Sequence, residues 1–300
     1  MIPNFIIIGA ARAGTTSLYH YLSQHPQVFM SPIKETLFFA YLASQAEPDH
    51  HIDPSIDWPI KSLEEYQALF TGGLGSQALG EASPIYLYAP GVPCQIKKYR
   101  PNMKLILVLR NPIERAYSVY LKNRREGLEI RSFEDAIKSE IHDPSDVIQS
   151  QRHHIRAGLY FRHISRYLEY FPREQIHIDF YDDLKNSPKD MIANIFNFLG
   201  VNADFEPDIS VQFNKAIPSL VKNSSHRRAI KAFTSRIRNW IPQKLYFSLL
   251  NFQNRVNSSV SSYPPLSKDM RLILHDQFFE DIEHLQRLLQ RDLSNWLAIE

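Results

Sequence analysis

The chain opens on a short apolar run, Phe5–Ile8, closed by Gly9. A run of that length, apolar at every position and ended by a glycine, predicts a buried parallel strand. From Thr15 to Gln24 the period changes to a helical one: Leu18, Tyr21 and Leu22 recur on one side, and Pro26 stands beyond the end. Val28–Phe29 and Ala78–Glu81 predict two more short strands, the latter after a turn at Thr71–Gly75. Ser62-Leu63-Glu64-Glu65 has the form of a capping box and starts a helix through about Phe70. Lys104–Leu109 reads as the clearest buried strand, and Pro112 suits the first turn of a helix running to about Arg125. Helices are expected over Ser132–Ile141, Arg156–Phe171 and Pro188–Leu199, the last closed by Gly200, with a strand at Ile176–Phe180. Leu266–Leu297 is amphipathic, with Leu272, Leu285, Leu288, Leu289 and Trp296 expected on one side.

Strands alternating with helices imply an α/β fold: a P-loop-type, mostly parallel sheet flanked by helices, with a helical C-terminal region. Residues 1–300 read as a single domain, with an α/β core over 1–200 and a helical, basic extension over 201–300. In such sheets a ligand sits at the carboxyl ends of the strands.

Composition changes this picture little. Hydrophobic residues make up 44% and charged residues 22%, as in ordinary globular domains. No apolar run reaches the roughly 18–20 residues of a membrane span, and Phe5–Ile8 is too short for a secretory signal. The single cysteine, Cys94, allows no internal disulfide, so a soluble protein in a reducing, cytoplasmic setting is expected. Cys94 itself reads as a small buried residue. His50-His51 and His153-His154 are adjacent pairs rather than the i, i+4 pairs of a helical metal site. They are expected at the surface, and no metal is expected.

Charge distribution says more than the net +2. Between Ile209 and Lys268 there is no Asp or Glu, while ten basic residues fall there: Lys215, Lys222, Arg227, Arg228, Lys231, Arg236, Arg238, Lys244, Arg255 and Lys268. Such a block faces either solvent or something anionic. It also carries Trp240, Ile241, Leu245, Tyr246, Phe247, Leu249, Leu250 and Phe252. That mixture fits a buried helix or a peripheral membrane contact. No nucleic-acid partner is expected.

The first strand leads into Gly9-Ala10-Ala11-Arg12-Ala13-Gly14-Thr15-Thr16-Ser17. Gly-x4-Gly followed by hydroxyl residues, between a strand and a helix, is the setting of a phosphate loop. A nucleotide triphosphatase would place Lys after the second glycine and an Asp at a strand end for Mg²⁺. Here those places hold Thr15 and Arg110. Arg110 offers a planar fork for a phosphomonoester, and Ser118, two turns into the next helix, adds a neutral donor.

With these motifs the sequence resembles the PAPS-dependent sulfotransferase superfamily (PAPS is 3′-phosphoadenosine 5′-phosphosulfate). The likeness is greatest to the heparan sulfate N- and O-sulfotransferase domains and their bacterial relatives. The resemblance makes Arg12, Ala13, Gly14, Thr15, Thr16 and Ser17 the 5′-phosphosulfate loop, and Arg110 and Ser118 the 3′-phosphate contacts. It makes Glu35, in Lys34-Glu35-Thr36-Leu37-Phe38-Phe39, the general base. Gly80-Glu81-Ala82-Ser83-Pro84 followed by Tyr86 matches a segment near the acceptor, so Glu81, Ser83 and Tyr160 are expected to touch it. Gly158-Leu159-Tyr160, His163, Phe171-Pro172 and Phe198-Leu199-Gly200 continue the match. The implied reaction moves a sulfuryl group from PAPS, leaving PAP, to a hydroxyl or amine of a carbohydrate, glycolipid or small metabolite. Glu35 would take the proton, Arg12 would meet charge on the leaving phosphate, and Lys34 would neutralise the sulfuryl group.

The sequence departs from the family's pattern in places. Arg12 stands where many members have Lys, Leu37 where a His is frequent, and Ala82 where O-sulfotransferases often have Lys. Ser258–Ser262 occupies the region of the late Lys-Gly-Arg donor clamp, and the two-cysteine loop is missing. The bland alternative for Glu35 is a surface carboxylate paired with Lys34, and Tyr160 and His163 could serve helix packing. A P-loop nucleotide kinase and a non-catalytic PAP- or nucleotide-binding module are the rival readings.

Overall fold

The computed structural model describes residues 1–46, 56–143, 153–210 and 265–299. His50-His51, the aromatic part of the basic block and Ser258–Ser262 lie outside the described residues.

The described strands form a five-stranded sheet: β1 (Phe5–Gly9), β2 (Val28–Met30), β3 (Ala78–Ala82), β4 (Lys104–Leu109) and β5 (Ile176–Phe180). Their order is β2-β3-β1-β4-β5 and every pairing is parallel. Every residue of β1 and β3 is buried, as a sheet covered on both faces requires. In register, Ile6 lies beside Glu81 of β3 and Leu105 of β4. Gly80 is needed for close approach, because a Cβ there would meet the Phe5 ring at 2.1 Å. β1 lies between β3 and β4, so the segments leaving all three strands emerge side by side.

The helices follow their local signals closely. α1 spans Thr15–Leu22 and α3 spans Leu63–Ala68; the Ser62–Glu65 capping box is present in full. α5 (Pro112–Glu126) begins at Asn111, whose side chain accepts from the Ile113 and Glu114 amides, and stops at left-handed Gly127. α6 is Phe133–His142 and α9 is Pro188–Leu199, ended by Gly200. Three further helices carried no clear signal: α2 (Phe38–Ala46), α4 (Val92–Tyr99) and α8 (Tyr181–Asn186).

Several expectations are corrected. The helix expected over Arg156–Phe171 is a 3₁₀ turn at Arg156–Gly158 and then α7 (Tyr160–Leu168). The cause is tertiary: Asp281 accepts from the Phe161 and Arg162 amides at 2.9 and 3.1 Å and so caps α7 afresh. Asp281 belongs to α10 (Lys268–Leu289), whose inner face is Met270, Leu274, Phe278, Ile282 and Leu285. Leu272 points outward, 46% exposed, and Trp296 lies in a separate 3₁₀ turn beyond left-handed Gln290. Cys94 is exposed, because α4 turns Val92, Pro93 and Ile96 inward instead.

His153 and His154 are buried rather than at the surface. Arg115, itself fully buried, donates to both of their carbonyls. Glu140 of α6 accepts from the amides of His154, Ile155 and Arg156. A carboxylate and a guanidinium thus clasp one loop from two helices.

Burial pushes His153 down to about 4 and His163 to about 3. His163 is a neutral ring that bonds the Arg156 carbonyl at 2.7 Å and accepts from Arg166 at 2.9 Å. The unfolded chain, with histidines near 6.5, binds more protons than the folded one between pH 6.5 and these values. Stability is therefore complete at pH 7 and is lost as pH falls below about 6.5. Asp281, raised to about 6 by burial, opposes this with a smaller contribution of the opposite sign. The expected result is a melting temperature that falls from pH 7 to pH 5, with a shallower fall in His163→Gln. An equal slope in that variant would contradict the assignment.

Candidate functional site

The loop after β1 is anchored to the neighbouring strand, with the Ala10 amide donating to the Val108 carbonyl at 2.9 Å. The Ala13 amide turns back to the Ala10 carbonyl at 3.2 Å. Gly14 then sits at φ +92°, where an L side chain is strained, and N-caps α1. A Cβ at Gly14 would meet Leu184 Cδ2 at 2.5 Å, so α8 closes over the loop from behind. The N–H groups of the first turn of α1 point out of the helix end toward the loop, the arrangement that favours an anion. Gly14→Ala combines left-handed strain with that clash. It is expected to cost about 1–3 kcal/mol, read as a lowered melting temperature together with weakened nucleotide binding. An unchanged melting temperature would contradict it.

Arg12 is the loop's other unusual residue, a non-glycine at φ +70°. Its Nε donates to Ser118 Oγ at 3.1 Å, and its carbonyl accepts from Arg110 Nη1 at 3.2 Å. Residues from the ends of β1 and β4 and from α5 thereby meet in direct contact. The Arg110 guanidinium lies 4.9 Å from the Tyr181 ring centroid, at the head of α8. Burial, followed by the nearby Arg125 and Arg110 charges, pushes Arg12 down to about 10. It remains a cation at pH 7, held among like charges in a desolvated place, which is how a protein prepares for an anion. Thr15 and Ser17 are buried in the first turn of α1, and Ala13 is buried behind them.

The second part of the site leaves the far side of the sheet. The Glu35 amide donates to the Ala82 carbonyl at 2.8 Å, at the end of β3. Ala82 is the register partner of Ile7, two residues before Gly9, so the Lys34–Glu35 turn flanks the phosphate loop. Glu35 and Leu37 both take left-handed backbone, at φ +63° and +57°. The Glu35 side chain is 55% exposed and pairs with Lys34 Nζ at 2.9 Å. The bland pairing is therefore present, and it leaves the carboxylate at an accessible edge.

The three residues expected at the acceptor are all buried. Glu81 and Ser83 are fully buried, and Tyr160 is buried with its hydroxyl donating to the Arg110 carbonyl at 2.9 Å. In this structure they face protein partners and brace the site from beneath. His163 belongs to the same interior. Three neighbours went unmarked in the sequence: Tyr181 on Arg110, Tyr88 beside Glu35, and Thr36 beneath the Glu35 turn. Tyr181 alone had a readable signal, since it follows a parallel strand's carboxyl end.

This fold and site define a phosphate-loop α/β protein whose loop meets arginines rather than a Lys and a metal-binding carboxylate. Within that class the chain belongs to the Sulfotransferase domain family, whose model matches residues 3–244. A crystal structure of a sulfotransferase from Alicyclobacillus acidocaldarius superposes with a TM-score of 0.75 at 28% identity, covering 99% of this chain and 100% of that one. Membrane-associated sulfotransferase kil1 of Dictyostelium discoideum is 27% identical over 74% of this chain and 62% of its own. Human heparan sulfate glucosamine 3-O-sulfotransferase 3B1 is 29% identical over 76% of this chain and 54% of its own. The chain therefore spans less than two thirds of these two relatives' lengths.

Proposed function

We propose that this protein transfers a sulfuryl group from PAPS to a hydroxyl or amine of an acceptor. The observation that carries the reading is the contact of Arg12, Arg110 and Ser118 behind a glycine-capped helix N-terminus. A donor with a 5′-phosphosulfate and a separate 3′-phosphate matches that pair of anion-binding ends. The 5′ end suits the loop residues Arg12–Ser17, and the 3′-phosphate suits the Arg110 fork and the Ser118 hydroxyl.

The acceptor oxygen or nitrogen attacks sulfur in line with the bond to the bridging oxygen. Glu35 removes the acceptor's proton as the new bond to sulfur forms. The old sulfur–oxygen bond breaks, and its electron pair stays on the departing phosphate of PAP. Arg12 and the loop amides face that growing charge. Lys34, tethered to Glu35, helps neutralise the sulfuryl oxygens in transit.

Carbohydrates, glycolipids and small metabolites are the proposed acceptor classes, and the named heparan sulfate relative favours the first. The lone cysteine fits a reducing compartment. Thermal-shift titration provides the test: PAP is expected to raise the melting temperature without added metal. Stabilisation by ATP with Mg²⁺ and none by PAP would replace this reading with phosphoryl transfer.

A further inference from the structure

Glu81 is a charged residue type in an interior strand of the sheet, and it is 0% exposed. Tyr66 and Tyr86 hydroxyls donate to its Oε1 at 2.8 and 3.1 Å, and Thr36 and Ser83 hydroxyls donate to its Oε2, both at 2.7 Å. No cation pairs with it among the described residues. Burial pushes its pKa upward, opposed by the same four hydroxyls. A carboxyl without a counter-charge is a costly way to fill a core. An apolar side chain would fill the space, so its partners show what the group does.

Those partners converge on one turn. Thr36 lies between Glu35 and Leu37, the two residues held in left-handed backbone. Such a conformation is costly for a residue with a side chain and persists only where the surroundings over-determine it. The Ser83 hydroxyl also receives the Leu37 amide at 3.4 Å. The Tyr86 hydroxyl also receives the Phe39 amide at 3.1 Å and lies 3.2 Å from Thr36 Oγ1. Residues 36, 37 and 39 are thus each tied to the Glu81 cage. Glu35 itself is half exposed, so its aim comes from its backbone more than from packing around its side chain.

We infer that Glu81 is a positioning residue: through Thr36, Ser83 and Tyr86 it fixes the strained turn that presents Glu35 to the acceptor. This rests on the reading of Glu35 as general base. Small displacements of a reacting group can cost up to about 100-fold in rate. The hydroxyl cage therefore acts on turnover without touching donor or acceptor.

The test uses near-isosteric changes in the full chain: Thr36→Val, Ser83→Ala and Glu81→Gln, each alone and combined with Glu35→Gln. Turnover is read as PAP formed from PAPS with a panel of sugar and phenol acceptors, and donor binding as PAP affinity. Thr36→Val and Glu81→Gln are each expected to lower kcat about tenfold or more, with PAP affinity unchanged. In the Glu35→Gln background the same changes are expected to have no further effect on kcat. Thr36→Val and Ser83→Ala keep the test open if Glu81→Gln fails to fold. Full activity in folded Thr36→Val and Ser83→Ala, or an equal loss in the Glu35→Gln background, overturns the positioning role. Full activity in Glu35→Gln alone overturns the base assignment instead, so the two failures are distinguishable.

Discussion

Replacing Arg12 by alanine is expected to lower kcat by about 10²–10³-fold, the cost of losing a preorganised donor to a developing oxyanion. The structure makes this loss interpretable. Arg12 is half-buried beside Arg110 and Arg125, so removing it relieves like-charge repulsion. The backbone strain at φ +70° is the same for alanine as for arginine. The melting temperature is therefore expected to stay level or rise while turnover collapses. Arg12→Lys separates the contributions further. Lysine keeps the charge, loses the Nε bond to Ser118, and offers a proton that an arginine does not readily give up. Near-normal kcat in Arg12→Ala would remove Arg12 from the chemical step.

Glu35→Gln is expected to lower kcat by about 10²–10³-fold while PAP binds as before. Glutamine keeps the size of the side chain and the Glu35 backbone bond to Ala82, but it accepts no proton. The ion pair with Lys34 joins adjacent residues at an exposed edge, so losing it costs at most about 1 kcal/mol of stability. A fall in turnover with an unchanged melting temperature is thus the signature of a base. Normal turnover with intact PAP binding would leave Glu35 as no more than a partner for Lys34.

Much of this was readable from the chain. β1 and β4 announce themselves as short apolar runs and β5 as an alternation of apolar and polar residues, and Ser62, Pro112 and Gly200 mark helix ends by local chemistry. The meeting of the loop with Arg110 and Ser118 was legible for the same reason. Gly9–Ser17 is a contiguous loop, and Arg110 and Ser118 follow one strand within nine residues.

What escaped was tertiary. The Glu81 cage draws hydroxyls from positions 36, 66, 83 and 86, with no spacing to betray it. His153 and His154 looked like surface histidines because their burial depends on Arg115 and Glu140, which come from two other helices. The break before α7 depends on Asp281, more than a hundred residues later. Leu272 belongs to a helical period, but the stripe from Met270 to Leu285 captured the inner face.

The C-terminal helix reaches back to the neighbourhood of Arg110. Arg271 holds Glu114 at 2.8 Å, and Glu114 lies 4.0 Å from Arg110. The Trp296 carbonyl accepts from Asn111, the residue after Arg110. A chain synthesised from its N-terminus makes its phosphate loop long before this helix. The arginine that answers that loop gains its last supports only once the segment from Lys268 to Trp296 has been made. A chain that stops short of that segment thus lacks the brace that steadies Arg110.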